Sequence, residues 1–374
     1  MRILHTSDWH LGMMFGNISL KDDQKYFIDL MVDCIKKENI QAVIVAGDVY
    51  DSSVSNSEAI GLYNYAATKV CIEMNIPMIV IAGNHDGAAR LAVCSELLKK
   101  AGLYVTGKLD VNKEPVSLGN VDIYCLPYFT SDEAKAQMPD CADTINSNDD
   151  AFAAICDNIR QRMDRSKTNI VVSHSFVVGA SLSESDKAAR VGSAMAISKN
   201  VFEEFDYVAL GHIHRPQDVG NKVRYSGSPL VYSFGSEEKY TKSFTIYDTD
   251  KDSVSFYEIT PLHQVTTIKG TYDEIMKMED VTDYLKIMIT DRFVGLETVC
   301  VLKEKFENVI EIQGKSFENE KQGKRIQMEE ISKMSDEEII VSFFREIFDY
   351  EPDEEQMKLI EDAKEYIERE EELS

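Results

Sequence analysis

The sequence predicts an α/β fold whose core strands are covered on both faces, and three observations carry that reading. Five short runs are apolar and rich in Val and Ile: "RIL" at 2–4, "QAVIVAG" at 41–47, "PMIVIAG" at 77–83, "NIVVSHS" at 169–175 and "DYVALGH" at 206–212. Amphipathic stretches at 24–37 and 58–74 separate the earlier runs. Polar punctuation ends each run. Continuous apolar strands alternating with helices are the pattern of a sheet sandwiched between other layers.

Later elements change in texture. "VRYSGSPL" at 223–230 and the two runs in "SFTIYDTD…SVSFYEIT" alternate like strands of an antiparallel or mixed sheet. Past Pro261, "VTTIKG", a helix near 272–278, "DYLKIMITD", a helix near 296–306 and "NVIEIQG" form a small α/β unit. From about Ser335 the chain turns acidic and helical. There Ile339, Ile340, Phe343, Phe344, Ile347 and Phe348 share one face, Pro352 breaks the run, and a second helix presents Met357, Ile360, Ala363 and Ile367. The expected organisation is a core at 1–262, a cap at 263–328 and a helical tail at 329–374. A two-faced terminal helix pair suits docking in a partner's groove, with docking on its own domain as the plain alternative.

At 374 residues, 44% apolar and 28% charged, the chain has the make-up of an ordinary soluble globular protein of two or three domains. It opens on no signal-peptide pattern, and no run is long enough to span a bilayer, so a cytoplasmic location is expected. Seven singly scattered cysteines suit reduced thiols rather than a disulfide framework or a zinc finger. The net charge of −25 argues against nucleic acid at first sight, but 18 acidic and 5 basic residues fall within 329–374. An acidic chain meets phosphate only through a local positive site or a basic partner.

Each of the five core strands ends in metal-competent side chains: Asp8 and His10, then Asp48, then Asn84 and His85, then His174, then His212 and His214. Ligands gather beyond the carboxyl ends of strands in an open α/β sheet, so these ends should converge. Mixed carboxylate, amide and imidazole donors without thiolate fit manganese, iron or catalytic zinc better than calcium, magnesium or structural zinc. The set is too large for one tetrahedral ion. It suits two ions about 3.5–4 Å apart, with Asp48 as the natural bridge, clamping the oxygens of an in-line phosphoryl displacement. A single strand-end histidine is commonly mere hydrogen-bonded structure, but that account needs five coincidences here.

Asp8-x-His10, Gly47-Asp48-x-x-Asp51, Gly83-Asn84-His85-Asp86, His174 and Gly211-His212-x-His214 resemble, in order, the five signatures of the calcineurin-like metallophosphoesterases. The flanks "TSDWHLG", "VAGDVYD", "AGNHD…ARL", "DYVALGHIHRPQ" and "YSGSPL…KS" are similar to the SbcD branch of the Mre-type DNA double-strand-break repair nucleases, over nearly the whole chain. Gly87 departs from the Ser expected in many members. The resemblance implies a layered α/β/β/α sandwich with a cap and a C-terminal helical tail. It implies one ion held by Asp8, His10, Asp48 and His214, and another by Asp48, Asn84, His174 and His212. Both would be divalent, with manganese favoured and Mg2+, Fe2+ and Zn2+ left open. It casts His85 as the acid that protonates the leaving oxygen; staying charged beside two cations needs a carboxylate partner, and Asp51, one turn beyond the bridging Asp48, is the candidate.

The same resemblance implies a homodimer in a heterotetramer with SbcC, a coiled-coil ABC-type ATPase gripped by the tail, acting on DNA and not on membranes. Exonuclease action from the 3′ side of double-stranded ends, and endonuclease action on single strands and hairpins, follow from the family alone. Arg90 and Arg215 are candidates for DNA phosphate contact, with solvated surface arginine as the alternative. His5, His263 and Trp9 are expected to pack, and Ser226 and Ser228 to shape a loop at the site's edge. "GKS" at 314–316 is no P-loop, because Val309 stands where a Gly is needed. A small-molecule phosphodiesterase shares the metal motifs but gives no reason for cap or tail. A protein phosphatase fits GNHD less well, and a metal-free scaffold would not keep every ligand.

Overall fold

The computed structural model describes residues 1–186, 196–279, 281–314 and 356–358. Two six-stranded sheets form its centre. The first runs in the order Ser253–Glu258, Ser243–Asp248, Arg2–Thr6, Ala42–Ala46, Met78–Ile81, Leu103–Thr106. Its last four strands are parallel, with Leu4 opposite Val43 and Val43 opposite Met78, and the other two join as an antiparallel edge. The second runs Gln217–Gly220, Val223–Tyr225, Tyr207–Gly211, Thr168–His174, Val121–Leu126, Val116–Leu118. Its inner strands are parallel, and Gly211 lies opposite His174.

The strands are apolar on both sides because both sides are buried. Ile3, Ile44, Ile79 and Ile81 of the first sheet meet Ile123, Ile170, Val172 and Tyr207 of the second. The alternate residues Leu4, Val43, Val45 and Val80 face Phe27, Met31, Ala59 and Leu62 of the helices Lys21–Lys37 and Ser57–Ala67. On the far side Val171, Val208 and Leu210 pack under Phe152, Ile155 and Ile159 of the helix Asn148–Arg162. The four layers are the expected α/β/β/α sandwich. The five ligand-bearing strands are divided between the two sheets, three in one and two in the other, rather than lying in one open sheet.

Local signals set the helix ends. Asn56 caps Ser57–Ala67 by accepting from Ala59 N at 2.8 Å. The chain then continues as a π-helix, Thr68–Glu73, where one helix over 58–74 was expected. Lys21–Lys37 starts one turn before its expected 24, with Asp22 and Asp23 in its first turn and Lys36 and Lys37 in its last, in line with its dipole. "VRYSGSPL" keeps only Val223–Tyr225 as strand.

Within 263–314 the cap is a parallel sheet, Val265–Gly270, Tyr284–Ile289 and Val309–Gln313, with helices Tyr272–Lys277 and Leu296–Lys305. Ile268, Ile275, Leu285, Ile287, Leu302 and Phe306 form its separate small core. Met1–Lys315 is one compact unit and Ser316–Ser374 another. The tail stripe Ile339, Ile340, Phe343, Phe344, Ile347 and Phe348 lies outside the described residues, as do Ile360, Ala363 and Ile367. All seven cysteines carry free thiols. Among the described residues no helix is long and apolar enough to cross a membrane.

Candidate metal centre

The carboxyl ends of both sheets meet at one place. The loop after Arg2–Thr6 runs beside the loop after Ala42–Ala46, tied by Asp8 N to Gly47 O (3.0 Å), His10 N to Asp48 O (3.0 Å) and Leu11 N to Val49 O (2.9 Å). Across the sandwich, His174 Nδ1 donates to Ala46 O at 2.9 Å and His212 N to Asp8 Oδ1 at 2.9 Å. Asp8, His10, Asp48 and His212 all adopt positive φ, at 54°, 43°, 47° and 98°. Each such residue costs about 1–3 kcal/mol and persists only where surrounding structure imposes it, typically at functional sites. Glycines make the approach possible. A Cβ at Gly47 (φ +88°) would lie 2.3 Å from His174 Nδ1, and one at Gly83 would lie 2.2 Å from Asp48 Oδ1.

Two donor clusters of expected ligands result, beside a third group made by His10, Asp51 and His85. Asp8, His10 and His214 offer ligand atoms within 4.8 Å of one another, and so do Asp48, His174 and His212. Asn84 Oδ1 joins the second cluster, 3.0 Å from His174 Nε2 and 3.0 Å from His212 Nδ1. Asp48 Oδ2 lies between the clusters, 3.2 Å from His174 Nε2 and 3.8 Å from His10 Nε2. Of the seven expected ligands, His10, Asp48, Asn84, His212 and His214 line a cavity of about 260 Å³ together with His85, and Asp8 and His174 join them through the two clusters. The donors fit a divalent pair. His10 Nε2 and His214 Nε2 face each other at 3.2 Å. The second of these is unprotonated, because His214 gives its Nδ1 proton to Ser185 Oγ (2.9 Å), which itself donates to Glu237.

The electrostatics point the same way. Burial alone would lower the pKa of His174, but Asp48 more than reverses this and pushes it up to about 9. His10 is likewise raised against its burial by Asp51, Asp48 and Asp8. Asp48 is held well below the carboxylate range despite burial by the imidazoles of His174, His10 and His85. His212, pushed down to about 3 by burial and by His174, and His214, lowered by burial and by His10, are neutral. A field that protonates buried imidazoles favours a cation in the same place.

His85 is exposed at the cavity, with its ring at 88° to that of His10 and 4.8 Å away. The Asp51 carboxylate lies within 4.8 Å of a His85 ring nitrogen, and Asp51 holds that ring through its backbone carbonyl, which accepts from Nδ1 at 2.9 Å. Because Asp51 N donates to Leu11 O, residue 51 is pinned along the first loop, and its carboxylate falls 3.4 Å from His10 Nδ1. That is an ion-pair approach without a formed hydrogen bond, and His10 Nδ1 makes none elsewhere.

Arg90 and Arg215 do not line the cavity: one donates to Ser53 O and the other stacks 4.5 Å over the Tyr240 ring. His5 and Trp9 are buried and hydrogen-bonded, and His263 pairs with Asp23, so all three pack as expected. Ser226 Oγ meets Ser7 Oγ at 2.8 Å and Ser228 bonds Leu230 O, shaping the neighbouring loop.

Several supporting residues escaped the sequence reading. Buried Asp86 accepts from Val49 N, Tyr50 N and Gly83 N at 2.9–3.1 Å and so ties the second motif to the third. Burial, then the Asp48 charge, pushes its pKa up to about 6. Asp186 accepts from His214 N, and buried Lys242 bridges Glu237 (2.7 Å) and His214 O (3.0 Å). The Asp86 signal was present in GNHD; nothing in sequence marks the others.

Residues 1–216 match the family model for calcineurin-like phosphoesterase. The chain is 33% identical over 354 residues to SbcD, the D component of the nuclease SbcCD, from Staphylococcus saprophyticus subsp. saprophyticus, covering 93% of each chain. A solved structure, TT1561 of Thermus thermophilus, aligns at 11% identity and TM-score 0.40, over 69% of this chain and 99% of that one. The chain belongs to the calcineurin-like phosphoesterase family and, within it, to the relatives of SbcD of the nuclease SbcCD.

Proposed function

We propose that this chain is the nuclease subunit of an SbcCD-type complex, a DNA phosphodiesterase dependent on two divalent ions. The observation that carries the reading is the pair of donor clusters meeting at Asp48 beside an exposed His85. Asp8, His10, Asp48 and His214 hold one ion, and Asp48, Asn84, His174 and His212 the other. Manganese suits the mixed oxygen and nitrogen donors. Bound there, the ions supply Lewis-acid charge to the oxygens of an in-line phosphoryl displacement. His85, its Nδ1 fixed on Asp51 O, has Nε2 left to deliver a proton to the leaving oxygen.

The wider reading follows the family: 3′-to-5′ exonuclease action on double-stranded ends, endonuclease action on single strands and hairpins, and work in repair and recombination with the ATPase SbcC. It is supported by 33% identity spanning 93% of a relative named as part of SbcCD. A homodimer is supported by an apolar face where Ile60, Ile72, Val93 and Leu97 are more than half exposed beside a groove of about 600 Å³.

The test is cleavage of a closed single-stranded DNA circle by the purified chain with manganese. EDTA and His85→Ala serve as controls, and bis-p-nitrophenyl phosphate as a small substrate. Cutting that disappears in both controls is the expected result. Hydrolysis of the small ester with the circle intact, and no rescue by SbcC, would transfer the reading to a small-molecule phosphodiesterase.

A further inference from the structure

The cap and the metal centre are held by the same two short stretches of chain. At the start of the helix Lys21–Lys37, Asp23 and Gln24 are consecutive and buried. Asp23 turns to the cap side, accepting from Tyr284 Oη at 2.7 Å and from His263 Nδ1 at 3.0 Å. Gln24 turns to the metal loop. Its Nε2 donates to His10 O at 2.8 Å, and its Oε1 accepts from Gly12 N at 3.0 Å.

The second stretch repeats the arrangement. Glu238 accepts from Thr267 N (2.9 Å) and Thr267 Oγ1 (2.7 Å) on the cap strand Val265–Gly270. Its neighbour Glu237 holds Ser185 (2.9 Å), which receives the Nδ1 proton of His214, and pairs with Lys242, which donates to His214 O. Thr267 and Tyr284 sit on adjacent cap strands, and His10 and His214 face each other in one donor cluster. The other cluster is held differently: His174 by Ala46 O, Asn84 by His174 and His212, and His212 N by Asp8.

We infer that the cap positions the first ion site selectively. Asp23 and Glu238, acting through Gln24 and Glu237, set the placement of His10 and His214, while the Asn84–His174–His212 site is independent of the cap. Asp23, Gln24, Glu237 and Glu238 are positioning residues. Outer partners of metal ligands change affinity by about 10–100-fold when removed, and coupling between sites is reciprocal. Ion binding at the first site therefore tightens the cap seam. The inference rests on the two-ion reading above.

The experiment is calorimetric titration of the full chain with Mn2+, which reads binding and not activity. Asn84→Ala isolates the first site and His10→Ala the second. Adding Asp23→Asn and Glu238→Gln should weaken manganese about fivefold or more in the Asn84→Ala background, and leave affinity unchanged in the His10→Ala background. Circular dichroism in EDTA checks folding. Should that pair fail to fold, Tyr284→Phe with Thr267→Val, which removes the cap's own hydroxyls, carries the same expectation. An unchanged first-site isotherm, or equal weakening in both backgrounds, overturns the inference. A parent chain that binds fewer than two ions overturns the two-ion reading, and the inference with it.

Discussion

His5 gives the fold a pH dependence that the metal site does not control. It lies on the strand Arg2–Thr6 of the first sheet and reaches the second, with Nε2 donating to Leu210 O (3.1 Å) and Nδ1 accepting from Tyr207 Oη (2.9 Å). It is fully buried. Burial, then the Arg224 charge, pushes its pKa down to about 3, against a smaller opposing effect of the Leu210 carbonyl. The native ring is therefore neutral. Below about pH 6.5 the unfolded chain takes a proton that the native chain refuses. The stability contributed by His5 is complete above that pH and falls by about 1.4 kcal/mol per pH unit until the pH reaches the folded value. At pH 5 the loss is about 2 kcal/mol.

The perturbation is His5→Gln, which keeps a donor and an acceptor but cannot titrate. Urea unfolding in EDTA at pH 7, 6 and 5 supplies the free energies. The parent should lose about 2 kcal/mol more than the variant between pH 7 and 5. Parallel pH profiles would refute the assignment of a neutral, buried His5, whatever the variant's stability at pH 7.

Three further outcomes are expected. Lys242→Met strands the buried Glu237 carboxylate and should cost about 3–5 kcal/mol, most of it recovered by adding Glu237→Gln; equal stabilities for the single and double variants would refute this. Asp86→Ala orphans three buried N–H groups at about 1–3 kcal/mol each, so the metal-free melting temperature should fall by several degrees; an unchanged melt sinks it. Ile72→Glu with Leu97→Glu should give a monomer in sedimentation while small-ester hydrolysis persists, and a dimer that survives both charges would place the interface elsewhere.

The candidate metal donors were legible because each is local, a polar residue at or shortly after the end of an apolar strand. Their partition between two sheets was not, since it depends on pairings such as Gly211 with His174 that no single segment encodes. Asp51 shows the limit of spacing arguments. Its distance along the chain from Asp48 suggested a carboxylate for His85, but its backbone bond to Leu11 brings the side chain to His10 as well. Ser185, Glu237 and Lys242 are ordinary surface residue types, and they are tied to His214 only through contacts 28 to 52 positions away. The cap's strands were readable from period and punctuation; its tie to Asp23 was not, because an acidic residue in a first helical turn already has a local explanation.

The cavity's own charges settle how an acidic chain meets an anionic substrate. Its lining is His10, Met13, Asp48, Asp51, Asn84, His85, Ser185, Asp186, His212 and His214, with three carboxylates and, among the described residues, no lysine or arginine. Lys242 is spent on Glu237, and Arg215 is stacked on Tyr240. A phosphate about 4 Å from one carboxylate is repelled by about 1 kcal/mol even in bulk water, and by more in a partly buried site. Two divalent ions would add four positive charges and invert that field. Metal should therefore govern DNA binding as well as hydrolysis. With His85→Ala, which leaves every proposed ligand in place, fluorescence anisotropy on a single-stranded oligonucleotide should show binding at least about tenfold tighter with manganese than with EDTA. Equal binding in the two conditions would mean that DNA is held by surfaces remote from the cavity, and that the acidic lining has no part in admitting it.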